Sequence, residues 1–78
     1  MGQFPSRAVV ENLKGMYPEG TRVELDFMDD PWGVPSGTQG TVRFVDDSGT
    51  VHVRWDNGSG LGLVYGVDRY HAIRGTVA

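Results

Sequence analysis

The sequence contains no cysteine, so neither a disulfide nor a thiolate zinc site holds this chain together. Small domains are the ones that most often depend on such staples, because below roughly 70–80 residues a core rarely supplies more than about 3–5 kcal/mol. Packing alone must therefore hold all 78 residues. The missing thiols also fit a reducing compartment, and the expected location is cytoplasmic. No run approaches the ~20 apolar residues that span a bilayer, and the opening Met1-Gly2-Gln3-Phe4-Pro5 lacks the basic region and apolar core of a secretory signal. Basic excess is lacking too. Seven Lys and Arg face ten Asp and Glu, a net charge of −3, which withholds the general attraction that drives non-specific nucleic-acid binding.

The groups that carry chemistry are equally sparse. The serines fall in caps and turns, no Gly-x-Ser-x-Gly elbow occurs, and no glycine-rich run leads into Lys-Ser or Lys-Thr to cradle a phosphate. His52 and His71 are the only histidines, without a cysteine or second histidine at ligand spacing, so the expectation is no metal site and no cofactor. Asp26, Asp29 and Asp30 crowd together but match no calcium loop, and a solvated acidic edge suits them better. With no nucleophile beside a base, the chain reads as a non-enzyme.

What is present is glycine, twelve of them, spaced between short runs of alternating residues. That is the pattern of strands and tight turns. One helix comes first: Ser6 caps a segment in which Val9, Val10, Leu13, Met16 and Tyr17 recur at helical spacing, and Gly15 and Pro18 end it. From Gly20 the period becomes two. Val23, Leu25 and Phe27 face inward, opposite Arg22, Glu24 and Asp26. A long shaped loop follows, Met28 to Gly37, broken by two prolines and two glycines. A second strand carries Val42 and Phe44 inward, and the Asp46-Asp47-Ser48-Gly49 turn leads into a third with Val51, Val53 and Trp55 inward. Asn57-Gly58 predicts another hairpin into a fourth strand, Leu61 to Tyr65. Gly66-Val67-Asp68-Arg69 reads as a one-turn segment before a fifth strand near Tyr70 to Arg74.

The expected architecture is mainly β, a five-stranded SH3-like small barrel with a short N-terminal helix. Residues 1–5 form a flexible start, 6–17 the helix docking on the barrel, 20–74 the barrel and 75–78 a frayed tail. The sequence shows no internal repeat and no low-complexity tract.

Gly20-Thr21-Arg22-Val23-Glu24-Leu25, Met28-Asp29-Asp30-Pro31, Gly40-Thr41-Val42, Val51-His52-Val53-Arg54-Trp55-Asp56-Asn57-Gly58-Ser59 and Leu63-Val64-Tyr65-Gly66-Val67-Asp68-Arg69-Tyr70 occur in that order. Together they resemble the bacterial and phage domain-of-unknown-function family numbered 4314, over about residues 13 to 74. The Gly-Thr-Val and Val-x-Trp-Asp-Asn-Gly portions are also similar to small β-barrels of the Mib/Herc2 type. The resemblance implies a bacterial, phage or mobile-element source and supplies no site residues.

Trp55 shares the phase of Val51 and Val53 and is expected in the core, with Asp56 bonding turn amides and Asn57-Gly58 making the turn. Trp32 lies outside any alternation, and its two readings, a ligand-groove aromatic or a lid on a small core, stand level. Trp32, Tyr65 and Tyr70, with Asp29 and Asp30, compose the candidate groove between the long loop and the one-turn segment. Asp68-Arg69 offers a local ion pair of little weight. The groove suits a protein or a basic peptide. The alternative is a nucleic-acid face built on Arg22, Arg43 and Arg54, disfavoured by Glu24, Asp26 and Asp56 on the same faces. A third reading is a mobile-element inhibitor occupying a host protein's nucleic-acid site. No membrane partner is expected, and the chain reads as a monomer or a weak homodimer through an exposed strand edge.

Overall fold

The computed structural model describes residues 5–28, 30 and 33–73. Asp29 and Trp32 of the predicted groove lie outside them, as do the tail and most of the predicted flexible start.

The first element is α1 (Arg7–Met16). Ser6 sits in extended conformation before it and its Oγ accepts from the Val9 N–H at 3.3 Å, satisfying one of the donors that a helix start leaves open. The helix runs through Gly15, which was expected to end it, because one glycine costs only about 1 kcal/mol in a helix. It stops instead at Tyr17, whose N–H bonds the Leu13 carbonyl just before Pro18. Val10 and Leu13 are buried, Val9 and Tyr17 pack half-buried on the core, and Met16 is exposed.

Among the described residues four strands follow: β1 (Arg22–Phe27), β2 (Gln39–Val45), β3 (Val51–Trp55) and β4 (Arg69–Ala72). They form one antiparallel sheet in the order β3-β2-β1-β4. Val23, Leu25, Val42, Val45, Val51, Val53 and Trp55 project from one face into a core completed by Leu13, Val34 and Leu63. The protein is therefore mainly β, but the sheet is open and four-stranded where five strands were expected. The missing strand is the Leu61 to Tyr65 segment, which reaches β3 only through an isolated bridge of Leu63 to Val51. Beyond that bridge the Leu61 carbonyl accepts the Trp55 indole N–H at 2.8 Å and the Leu61 N–H donates to the Ser59 hydroxyl, in place of ladder bonds.

Two other expectations fail for a shared reason. Phe27 and Phe44 were assigned inward by alternation, yet both are about half exposed. The register shifts between Leu25 and Phe27 on β1 and between Val42 and Phe44 on β2. A bulge inserts a residue, so the phase of every later side chain reverses and Val45 takes the inward place.

The β2–β3 turn is organised by Asp46. One carboxylate oxygen accepts from the Ser48 N–H, the Ser48 hydroxyl and the Thr50 N–H at 2.7–3.0 Å, and the other lies 2.8 Å from His52 Nε2. Gly49 closes the turn at φ +86°, a conformation natural to glycine. These bonds, the one with His52 first, hold the Asp46 carboxyl well below the usual carboxylate range. A depressed folded-state pKa contributes stability that is present above the unfolded value, about 3.9, and is lost as pH falls through the folded value. Asp46→Asn should therefore destabilise the domain by about 1–2 kcal/mol at pH 7, as for a partly exposed charge-assisted network. In urea titrations at stepped pH the gap between the two proteins should narrow below about pH 4. A gap constant down to pH 2.5 would remove this assignment.

Candidate functional site

A hollow of about 440 Å³ opens between α1 and the segment leading into β4. Val9, Leu13, Met16 and Tyr17 form its helical wall, and Tyr65, Asp68, Arg69 and Tyr70 the other. Tyr17 and Tyr70 meet at its base with ring centroids 5.3 Å apart and planes inclined at 57°, an edge-on arrangement favoured by the aromatic quadrupole. Burial pushes the Tyr70 phenol up to about 12, with Tyr17 and Asp68 adding to the effect. It therefore stays neutral and keeps its proton as a donor. Tyr65 stands at the rim, 47 % exposed.

The turn that presents Tyr65 is fixed by its neighbour. Asp68 Oδ2 accepts the Val64 N–H at 2.8 Å, and the Val67 and Asp68 amides both return to the Val64 carbonyl. Asp68 thus caps a turn; the expected pairing with Arg69 is replaced by this bond. Gly66 holds φ +80° within the turn.

Tyr65 and Tyr70 line one hollow; among the described residues its second wall comes from the helix, while Trp32 and Asp29 of the expected long-loop wall lie outside them. The helix supplies that wall because α1 must dock Val9, Leu13 and Tyr17 on the core, and that places Tyr17 against Tyr70. The long loop contributes to a neighbouring hollow of about 270 Å³, where Asp30 and Met28 face Leu61, Val64, Val67 and Asp68. Asp68 borders both hollows.

In the register Arg22 and Arg54 stand on either side of Thr41. Arg22 is bound at both terminal nitrogens by Asp56, at 2.9 and 2.7 Å, and also reaches Thr41 and Gln39. Its guanidinium holds the Asp56 carboxyl below its ordinary value. Asp56 was expected to bond turn amides; Asn57 does that instead, through its Oδ1 and the Ser59 N–H. Arg43 and Arg54 share a hollow, of about 580 Å³, with Phe44 and Glu19. There the Arg43 guanidinium lies 6.0 Å from the Phe44 ring centroid, and Phe44 stacks on His52 at 4.3 Å with 13° between planes.

A comparison with protein families matches residues 6–73 to the family described as a domain of unknown function, DUF4314. The chain belongs to the DUF4314 family. No curated protein and no solved structure matches it. The match runs from the Ser6 cap past the end of β4, so the DUF4314 unit includes α1, the whole sheet and every hollow described above.

Sequence reasoning missed three features of this DUF4314 domain. Tyr17 was assigned to the helix's docking stripe and not to the groove, although its place beside Pro18 at the helix end signalled a side chain at a boundary. Phe44 was assigned to the core. His71 was read only as lacking a cysteine or second histidine at ligand spacing; its Nδ1 lies 3.0 Å from both oxygens of Asp26, a pairing that raises it above its ordinary value. Among the described residues no helix is long and apolar enough to cross a membrane.

Proposed function

We propose that this DUF4314 domain is a non-enzymatic binding module that takes a segment of another protein into the hollow between α1 and residues 65–70. The observation that carries the reading is the convergence of Tyr17, Tyr65 and Tyr70 on one concave site beside exposed Met16. Tyrosines that combine a large apolar face with a polar tip are the usual anchors of such interfaces. Val64 and Val67, each about half exposed, extend the apolar rim toward the second hollow. Asp68 between the two hollows, Asp30 beside it and a net charge of −3 favour a segment with an apolar anchor next to Lys or Arg. We also read the sheet as SH3-like, a reading supported by its order and by the Leu63 bridge on the outer side of β3, and the location as cytoplasmic, supported by the lack of cysteine.

Peptide display on the folded domain, followed by titration of the selected peptides in ¹H–¹⁵N spectra, tests the proposal. Selected peptides should pair an apolar residue with a basic one and shift the amides of residues 13–17 and 65–70. Tyr65→Ala should weaken binding about tenfold or more, the loss typical of an interface anchor, with the unfolding midpoint unchanged because Tyr65 is a rim residue. Undiminished affinity in that variant overturns the assignment.

A second reading, single-stranded nucleic acid, is favoured by one observation. Exposed Phe44, stacked on His52 and flanked by Arg43 and Arg54, has the composition of a base-stacking platform with phosphate contacts. Adding an oligonucleotide to the same spectra separates the two, since salt-sensitive shifts confined to β2 and β3 would support the second reading alone.

A further inference from the structure

The solvent face of the sheet carries a group that neither reading uses. Glu24 and Asp26 stand two residues apart on β1, and His71 on β4 is the direct cross-strand partner of Glu24. Antiparallel partners hold their side chains about 4.5–5.5 Å apart, and here one donor atom from each of Glu24, Asp26 and His71 lies within 4.8 Å of the other two. His71 Nδ1 is 3.0 Å from each Asp26 oxygen, and the Gln39 side-chain amide donates to Glu24 Oε1 at 3.2 Å, fixing that carboxylate from the β2 side. Tetrahedral ligand atoms about 2.1 Å from an ion stand about 3.4 Å apart, so the hydrogen-bonded His71–Asp26 pair, at 3.0 Å, needs to open only slightly to admit one.

The charges around the group point the same way. Arg22, two residues before Glu24 on β1, is engaged by Asp56. Among the described residues neither Glu24 nor Asp26 forms an ion pair with lysine or arginine. Among the described residues the cationic group paired with these two carboxylates is therefore the His71 imidazole.

We propose that Glu24, Asp26 and His71 form a surface site for a divalent transition-metal ion of the zinc class. An imidazole nitrogen with two carboxylates suits Zn²⁺ and its neighbours, whereas Ca²⁺ and Mg²⁺ seek all-oxygen sets. The three ligands sit on two paired strands, so little reorganisation accompanies binding. Asp26 and His71 are about half exposed, which leaves the remaining coordination positions open to water or to a group from a partner. The ion would clip the edge strand β4 to β1, on the face opposite Tyr70 and the tyrosine hollow.

Titration calorimetry of the full chain with ZnCl₂, and separately with CaCl₂, tests the site. One zinc equivalent should bind, more tightly than calcium. His71→Gln and Asp26→Asn should each weaken zinc at least about tenfold, with circular dichroism unchanged. His52→Gln, at the other histidine, should leave zinc binding intact. Absence of zinc binding, equal affinity in the His71 and Asp26 variants, loss through His52→Gln alone, or a preference for calcium would each overturn the proposal.

Discussion

Trp55→Ala should leave the domain without a stable folded state at 25 °C. Trp55 is 1 % exposed and is the largest fully buried side chain, in a core that otherwise consists of valines and leucines. Removing a buried tryptophan costs about 3–5 kcal/mol, comparable to the roughly 3–5 kcal/mol that a core of this size supplies in total. The loss also reaches beyond β3. The indole N–H is the partner of the Leu61 carbonyl, so its removal frees the segment that brings Leu63 into the core. Circular dichroism during urea titration should show no cooperative transition for the alanine variant. Trp55→Phe should give an intermediate result, since it retains most of the burial and leaves one carbonyl without its donor, about 1–3 kcal/mol. A cooperative transition for Trp55→Ala at the wild-type midpoint would show that the core does not depend on the indole.

The second large effect is expected at Gly40, the second residue of β2, which pairs with Val23 on one side and Trp55 on the other. A Cβ there would lie 2.6 Å from Val53 Cγ1, 2.8 Å from the Arg54 carbonyl oxygen and 2.9 Å from Trp55 Cε3. Neither a backbone carbonyl nor a packed indole moves cheaply, so β2 and β3 must separate. Gly40→Ala should cost about 1–3 kcal/mol, the range for overpacking a core. With a urea dependence of about 1 kcal/mol per molar, that is a midpoint lower by about 1–3 M. Gly60→Ala is the control: its Cβ meets nothing within 4 Å, and its midpoint should stay near that of the parent. Equal midpoints for the two variants would show that the indole does not need the space above Gly40.

Trp55 also accounts for the fourth predicted strand, which the structure replaces with an isolated bridge. Alternation correctly sent Trp55 inward, but alternation does not say what the indole nitrogen will bond once it is there. The Leu61 carbonyl meets that need, and a strand hydrogen bond is replaced by a side-chain one. Buried polar atoms are almost always satisfied, so a tryptophan at the end of a strand competes with the ladder beside it.

The candidate site was legible to the same partial degree. Tyr65 and Tyr70 flank a turn rich in local signals, Gly66 and Asp68, and their proximity followed from short range. Their partner Tyr17 comes from the other end of the chain, and only the docking of α1 brings it there. Arg22 and Asp56 appeared as neighbours in charge but not in space, and their bidentate pairing removes one arginine from the nucleic-acid face. His71 and Asp26 likewise sit on strands distant in sequence and adjacent in the sheet.

By itself, then, the sequence determined the local elements: a helix capped at Ser6, strands with Val23, Leu25, Val42, Val51, Val53 and Trp55 inward, and turns at Gly49 and Gly58. Each depends on residues a few positions apart, whose preferences act before any tertiary contact forms. The tertiary structure decided the strand count, the exposure of Phe27 and Phe44, the helical wall of the tyrosine hollow and the grouping of Glu24, Asp26 and His71. Those depend on register, and a bulge of one residue reverses the phase of a strand without leaving a mark in its alternation.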